Sequence, residues 1–202
     1  MKSISSLSKH KRLLAAVWLA LLLSPALYSQ AWQEIGLDTF RVDSGEKVIL
    51  ATEAGYGAAL RSEEQPTFPR RFWIKGDVQL LSDPVETDAF FLFGTKHDST
   101  DFVYAAGYSL QRQAILFGRV DLSDSSAAAL EVLARKAVEI IDSRRRYVFK
   151  FIFDHQTNEL IAEVNGVPMT APLPLKSRTL NCFGYMVYDG AVRFQALEMG
   201  GE

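Results

Sequence analysis

The sequence has very little cysteine, no run of more than three consecutive basic residues and, after residue 31, no long apolar run. Its 202 residues include one cysteine, Cys182, which excludes an intrachain disulfide framework and a cysteine-based zinc site. Because residues 32–202 are mildly acidic and carry no basic run longer than Arg144-Arg145-Arg146, a nucleic-acid-binding protein that relies on phosphate contacts is not expected. No stretch after residue 31 is long and apolar enough to span a membrane.

Residues 1–31 are predicted to be a secretory signal peptide. They contain no acidic residue, four basic residues before an 11-residue apolar run at 13–23, and Ser29-Gln30-Ala31 as a cleavage site. Cleavage after Ala26 or Ser29 is an alternative. An uncleaved anchor is disfavoured because 11 helical residues span only about 16 Å of a roughly 30 Å hydrocarbon core. We therefore expect a secreted or periplasmic domain, residues 32–202, with 18 basic and 24 acidic residues and a net charge of −6.

Period-two alternation is the strongest pattern in this domain, and it predicts β-strands. In residues 147–154 every odd position is aromatic, namely Tyr147, Phe149, Phe151 and Phe153. Residues 155–158 read as a turn, residues 159–164 as the returning strand, and Asn165-Gly166 as a tight turn. The four aromatic side chains are therefore predicted to point into a core.

Similar runs at residues 72–81, 88–94, 102–110, 114–121, 180–188 and 192–199 predict further short strands, and residues 32–42 and 47–51 add one or two more. Asp189-Gly190 is predicted to be a tight turn between the last two runs. Pro168, Pro172 and Pro174 predict an extended loop rather than a central strand. This pattern predicts an all-β fold, an antiparallel jelly-roll β-sandwich.

One segment departs from the pattern. Apolar residues at i, i+3, i+4, i+7, i+8 and i+11 from Leu130 to Ile141 predict a short helix near residues 127–141. Val132, Ala134, Val138 and Ile140 also alternate, so a strand is the competing interpretation.

Three places in the chain carry a resemblance to a known family. They are residues 90–94 followed by 102–104, residues 147–153 continuing to Val164-Asn165-Gly166, and residues 183–185 followed by 192–194. Over residues 72–199 the chain resembles the concanavalin A-like lectin/glucanase superfamily, which includes laminin-G-like jelly rolls and the 3-keto-disaccharide hydrolase-like domain. The resemblance implies a sandwich that binds or cleaves carbohydrate.

The glucanases of this superfamily carry three acids in an E-x-D-x-x-E spacing on one strand, and the chain lacks that motif. Glu86-Thr87-Asp88 is the nearest match, but Phe91 stands where the third acid would be. Glu159 and Glu163 share one strand face, where a solvated edge explains them better than catalysis does. No catalytic residue is predicted, and whether the chain is an enzyme stays open, with the absent motif favouring a protein that is not one.

No cofactor is predicted, and the metal-binding options are weak. Residues 98–101 and Asp189-Gly190 carry oxygen ligands suited to a structural calcium ion, although short polar residues in turns explain them as well. His97 and His155 share a metal only if their loops meet.

A sugar site on a sheet needs aromatic faces and planar polar groups that project from strands. The predicted ligand-binding residues are Trp73, Arg119, Lys150, Tyr185 and Arg193. Each has a structural alternative in the core or on a solvated face. The main hypothesis is an exported, non-catalytic, lectin-like module that binds a carbohydrate or cell-surface ligand, with no nucleic-acid partner. The alternatives are a hydrolase of the 3-keto-disaccharide type and a structural subunit of an extracytoplasmic assembly.

Overall fold

Thirteen antiparallel strands make up most of the described part of the chain. The computed structural model describes residues 32–43, 47–62, 68–81, 87–95, 102–122, 128–139, 146–173, 175, 180–195 and 198–201, all within the compact unit Trp32–Glu202. The strands are β1 (Gln33–Ile35), β2 (Thr39–Asp43), β3 (Lys47–Ser62), β4 (Arg71–Leu80), β5 (Asp88–Thr95), β6 (Phe102–Ser109), β7 (Ala114–Asp121), β8 (Ala129–Ala137), β9 (Arg146–Asp154), β10 (Glu159–Val164), β11 (Val167–Pro172), β12 (Cys182–Phe194) and β13 (Glu198–Gly201). Over these same ranges, no helix of a length and apolarity suited to crossing a membrane is present. The predicted signal peptide, residues 1–31, lies outside the described residues.

The strands form two halves that share β3 and β12. The main hydrogen-bonded path runs β11-β10-β9-β4-β12-β5-β6-β7-β8, and β3 pairs with β12 along both halves. The β4 half contains β2, residues 47–52 of β3, residues 190–194 of β12, β4, β9, β10, β11 and β13. The β5 half contains β1, residues 56–62 of β3, residues 182–188 of β12, and β5 to β8.

The main hydrophobic core lies between the two halves. The even positions of β4 and the odd positions of β9 point into it, so both strands bury every second residue. The four aromatic residues of β9 are buried there, as predicted, and Phe91 meets Phe149 and Phe151 edge-on. The predicted all-β antiparallel sandwich is confirmed.

A second buried cluster lies on the opposite face of the β5 half. It includes Phe90, Leu92 and Met186, which alternate with the residues that face the main core. Because both faces of β5, β6 and β7 are buried, their sequences are continuous apolar runs rather than alternating ones. The Ala128 amide donates to the Tyr56 carbonyl of β3 (3.1 Å), and both residues contact this cluster, so the β5 half curves around it.

The predicted helix near residues 127–141 is wrong, because its described part forms the edge strand β8. A β-bulge explains the misleading spacing: Phe117 pairs with Ala134 but Gly118 pairs with Val132, which leaves Leu133 unpaired and half exposed. Leu130 before the bulge packs on the second cluster, whereas Ala134 after it packs on the main core. The extra residue therefore produces apolar spacings of three and four residues, which are typical of a helix.

Two predicted connections also differ from the structure. Asp189 and Gly190 have positive φ (48° and 139°), as a tight turn requires, but they lie inside the continuous strand β12, opposite a bulge in which residues 53–55 of β3 face Asp189 alone. The proline-rich segment after Asn165-Gly166 is an edge strand, β11, rather than a loop. Proline is compatible with an edge strand because one side of such a strand needs no amide donors.

Candidate functional site

Three of the five predicted ligand-binding residues lie on one surface, the face of the β4 half that points away from the core. We call it the outer face. Trp73 on β4, Lys150 on β9 and Arg193 on β12 all project there, because their strand neighbours on either side point into the core. Arg193 is paired with Gln79, six residues along β4 from Trp73, so about 20 Å separates these two ends of the outer face.

The other two predicted residues lie elsewhere. Arg119 is on β7 in the β5 half, where its guanidinium forms an ion pair with Glu131 of β8 (2.7 Å). Tyr185 is only 4% exposed, and its ring packs in the main core against Phe91 and Phe194. Of the five predicted ligand-binding residues, Arg119 and Tyr185 therefore do not share the outer face with Trp73, Lys150 and Arg193.

A row of long polar side chains from four strands lies around Arg193. We call it the arginine row, and its members are Arg41, Arg193, Gln79 and Arg146, with Ile49 of β3 between Arg41 and Arg193 in the strand register. The next positions on the same face are Lys47 and Gln195. Lys47 lies opposite Asp43 in the strand register, and the backbone amide of Gln195 donates to the Asp77 carbonyl (2.9 Å). A depression of about 230 Å³ lies among these residues, and a more open one of about 630 Å³ adjoins it at Lys47 and Arg193.

The charges around the arginine row are unequally paired. Arg41 forms an ion pair with Asp43 (2.6 Å), and Arg146 forms one with Asp77 (3.6 Å). Within the described ranges no carboxylate pairs with Arg193, whose Nη1 donates to Gln79 Oε1 at 3.3 Å. The Nε of Arg193 is buried and has no hydrogen-bond partner there. An unused donor on a buried charged group costs free energy unless another oxygen reaches it.

The surroundings of Trp73 and Lys150 are nearly neutral. Lys150 pairs with Lys75 on one side and with Glu163 on the other, and Lys75 forms a 3.8 Å ion pair with Glu198. The Lys150 ammonium lies 5.9 Å from the centre of the Trp73 ring, within cation–π range. The indole leans over Gly200 of β13, where an added Cβ would lie 2.5 Å from Cζ2 of the ring. The indole can take this position only because Gly200 has no side chain.

Glu159 and Glu163 do not have the spacing of a glycosidase pair. Glu159 and Glu163 are four residues apart on β10, about 13 Å along the strand, whereas glycosidases keep their two carboxyl groups about 5–9.5 Å apart. Asp88 is buried, and Glu86 lies outside the described residues.

No metal site is formed by the described residues, among which no group of three or more histidine, cysteine or acidic side chains is arranged to hold an ion. His97 and the predicted calcium loop 98–101 lie outside them. Asp189 lies opposite the β3 bulge, where its carbonyl accepts a hydrogen bond from Thr87 Oγ1 (2.8 Å).

Asp88 is the centre of a separate buried polar cluster at the start of β5. Burial raises its pKa to about 6, although hydrogen bonds from the Ser109 hydroxyl and from two backbone amides act in the opposite direction. The pKa of neighbouring Tyr56 is raised to about 12 by burial and by the negative charge of Asp88. Asp88 Oδ1 has no hydrogen-bond partner among the described residues. The cluster faces the second buried cluster rather than the outer face.

The arginine row was missed at the sequence level, apart from Arg193. Its residues come from four strands that are distant in the chain, and their adjacency depends on strand order, which alternation does not encode. One usable signal was present: Lys75, Asp77 and Gln79 occupy successive outward positions of β4.

Comparison with solved structures supports the fold. The chain is similar to the carbohydrate binding module CBM66 from Bacillus subtilis, with a TM-score of 0.60 and 16% identity over 84% of this chain and 95% of that one. It is also similar to a Bacillus subtilis protein of unknown function with a galectin-like fold (TM-score 0.55, 12% identity, 84% and 89% covered). The metal-free carbohydrate recognition domain of Emp46p gives a TM-score of 0.55 at 10% identity, with 85% and 88% covered.

The chain shares an antiparallel jelly-roll sandwich fold with these solved structures. No family model and no curated protein sequence matches the chain, so the 3-keto-disaccharide hydrolase-like resemblance gains no support from sequence comparison. Identities this low relate folds, not activities.

Proposed function

We propose that the chain is a non-catalytic, exported module that binds a saccharide on its outer face. The observation that supports this most is the placement of an indole, two carboxamides and a guanidinium on one face: Trp73, Gln79, Gln195 and Arg193. An indole offers a flat apolar surface to a sugar ring, and planar amides and guanidinium groups hydrogen-bond its hydroxyls.

The other strand surface is less suited to this role. The face of the β5 half that points away from the main core carries the second cluster, whose described members are apolar and buried. The binding function of the similar solved modules agrees with the proposal but belongs to those proteins. The spacing of Glu159 and Glu163 favours binding over hydrolysis.

The proposal is tested by a glycan array followed by titration calorimetry with the saccharide that binds. We expect Trp73→Ala and Lys150→Ala each to weaken binding about tenfold, which corresponds to ~1.4 kcal/mol. Gly200→Ala should also weaken binding, because the new methyl group displaces the indole without removing it. Arg119→Ala is the matched control, since it removes an exposed cation that is paired with Glu131 away from the outer face.

Thermal unfolding of each variant separates binding from stability. If the Trp73 and Lys150 variants bind as the wild type does, or lose binding only in proportion to lost thermal stability, the outer face is not the site. The chain would then be better described as an interaction scaffold.

A further inference from the structure

We propose that the saccharide bound on the outer face is acidic, and that Arg193 and Lys47 hold its carboxylate or sulfate groups. This inference rests on the proposed function and adds the chemical class of the ligand. It depends on the arginine row, which lies about 20 Å from Trp73 along β4.

The first argument is the charge of the arginine row and the residues next to it. Four cations, Arg41, Lys47, Arg146 and Arg193, line the two depressions with only two acids, Asp43 and Asp77. Each acid forms an ion pair with one arginine, and the six side chains together carry a net charge of about +2. Residues 32–202 as a whole carry a net charge of −6, so this is a local reversal of sign.

The second argument is the state of the Arg193 side chain. Arg193 lies between two other strands of the half, paired with Ile49 on one side and Gln79 on the other. Its neutral partner, Gln79 Oε1, occupies one guanidinium nitrogen, and the buried Nε has no acceptor among the described residues. An anionic oxygen in the depression would satisfy this donor through a charge-assisted hydrogen bond, roughly twice as strong as a neutral one.

The size and setting of the site favour an acidic sugar over a nucleic acid. The depression of about 230 Å³ accommodates a single ring-sized group between Gln79, Gln195 and Arg193, where amides can bind hydroxyls beside the anion. Nucleic-acid binding depends on many phosphate contacts, which a domain of net negative charge with one small basic site does not offer.

The test uses pairs of polymers that share a backbone and differ in charge. Polygalacturonate is compared with its methyl ester, and dextran sulfate is compared with dextran, by titration calorimetry at 50 mM salt. We expect at least one acidic polymer to bind about tenfold more tightly than its neutral counterpart. The polymer pair that shows this difference in affinity identifies the anion as carboxylate or sulfate. Raising the salt to 200 mM should reduce the difference in affinity.

Variants then locate the anion. Arg193→Gln should weaken binding of the acidic polymer about tenfold more than it weakens binding of the neutral one, because it removes a charge as well as a hydroxyl-binding group. Lys47→Gln, at an exposed position, provides a second variant that does not disturb packing, and Arg119→Gln is the control expected to bind like the wild type. Melting temperatures of all three confirm that they are folded.

The outcomes separate this inference from the proposed function. Equal binding of acidic and neutral polymers overturns the acidic ligand and leaves the saccharide-binding proposal standing. If no saccharide binds, both are overturned. Binding of duplex DNA that Arg193→Gln abolishes, without binding of any saccharide, overturns both in favour of a nucleic-acid partner. Acidic selectivity that survives in both the Arg193 and Lys47 variants overturns the assignment to the arginine row.

Discussion

Replacing Asp88 with asparagine should change how the stability of the protein depends on pH. Asp88 is 1% exposed and lies at the start of β5, paired with Tyr188 on β12 and Ser109 on β6. Burial disfavours its charged form and raises its pKa from 3.8 to about 6. The native protein therefore holds the Asp88 proton over a pH range in which the unfolded chain has lost it.

The magnitude follows from the size of the pKa shift. A pKa raised by about 2 units costs the native state about 3 kcal/mol once the carboxylate is charged in both states. Because the native pKa is the higher one, stability from this group falls as the pH rises from about 4 to about 6 and stays low above that. Well below pH 4, where Asp88 is protonated in both states, this cost is absent.

Urea unfolding at several pH values between 4 and 7.5 measures this effect. Asp88→Asn should lose little stability at pH 4 and become more stable relative to the wild type as the pH rises, by up to about 3 kcal/mol at pH 7. The asparagine oxygen still accepts the hydrogen bond from Ser109. Glu34→Gln, which changes an exposed carboxylate on β1, is the control for general charge effects. If the difference between Asp88→Asn and the wild type were constant over this range, the burial argument would be refuted.

Two further predictions concern the core and the N-terminus. Phe151→Ala should lower the free energy of unfolding by about 3–5 kcal/mol, because it leaves a cavity in the main core. Val148 on the same strand is 42% exposed, so Val148→Ala should change the free energy of unfolding little. A Phe151→Ala variant as stable as the wild type in denaturant titration would contradict the packing. Mass spectrometry of secreted or periplasmic protein should give a mature N-terminus between Leu27 and Trp32, and intact Met1 on a cytoplasmic protein would count against export.

Much of the sandwich could be predicted from the sequence because local signals agree with the global fold there. The hairpin of β9 and β10 is the best case. Its aromatic residues alternate, and the residues at 155–158 and Asn165-Gly166 end its strands where the structure ends them. Asn165 has a φ of 49° and Gly166 one of 81°, as a tight turn of this kind requires.

The wrong predictions fall where the register of two paired strands shifts. At Leu133 an extra residue shifts β8 from one face to the other, and at Asp189 a pair of positive φ values bends a strand instead of reversing it. Both places are at β-bulges. Their residue requirements overlap with those of helices and turns, so local sequence does not separate them.

The candidate site was less predictable than the fold because it depends on which strands are neighbours. Outward positions were assigned correctly for Trp73, Lys150 and Arg193 from alternation alone. The adjacency of Arg41, Arg193 and Arg146 requires the pairing of β2, β3, β12, β4 and β9, which come from distant parts of the chain. Arg119 is a charged residue among apolar neighbours in the sequence, and Glu131 on β8 provides an ion-pair partner for it.

The sharing of β3 and β12 by both halves has a consequence for the order of folding. β12 is the only described strand that pairs with β3, β4 and β5 together, and it lies near the end of the chain. More than a hundred residues separate it from β3, so closing this pair carries a large loop entropy and a high contact order. During synthesis neither half is complete until residues 182–194 have emerged. Until then the apolar strands β4 and β5 lack their central neighbour.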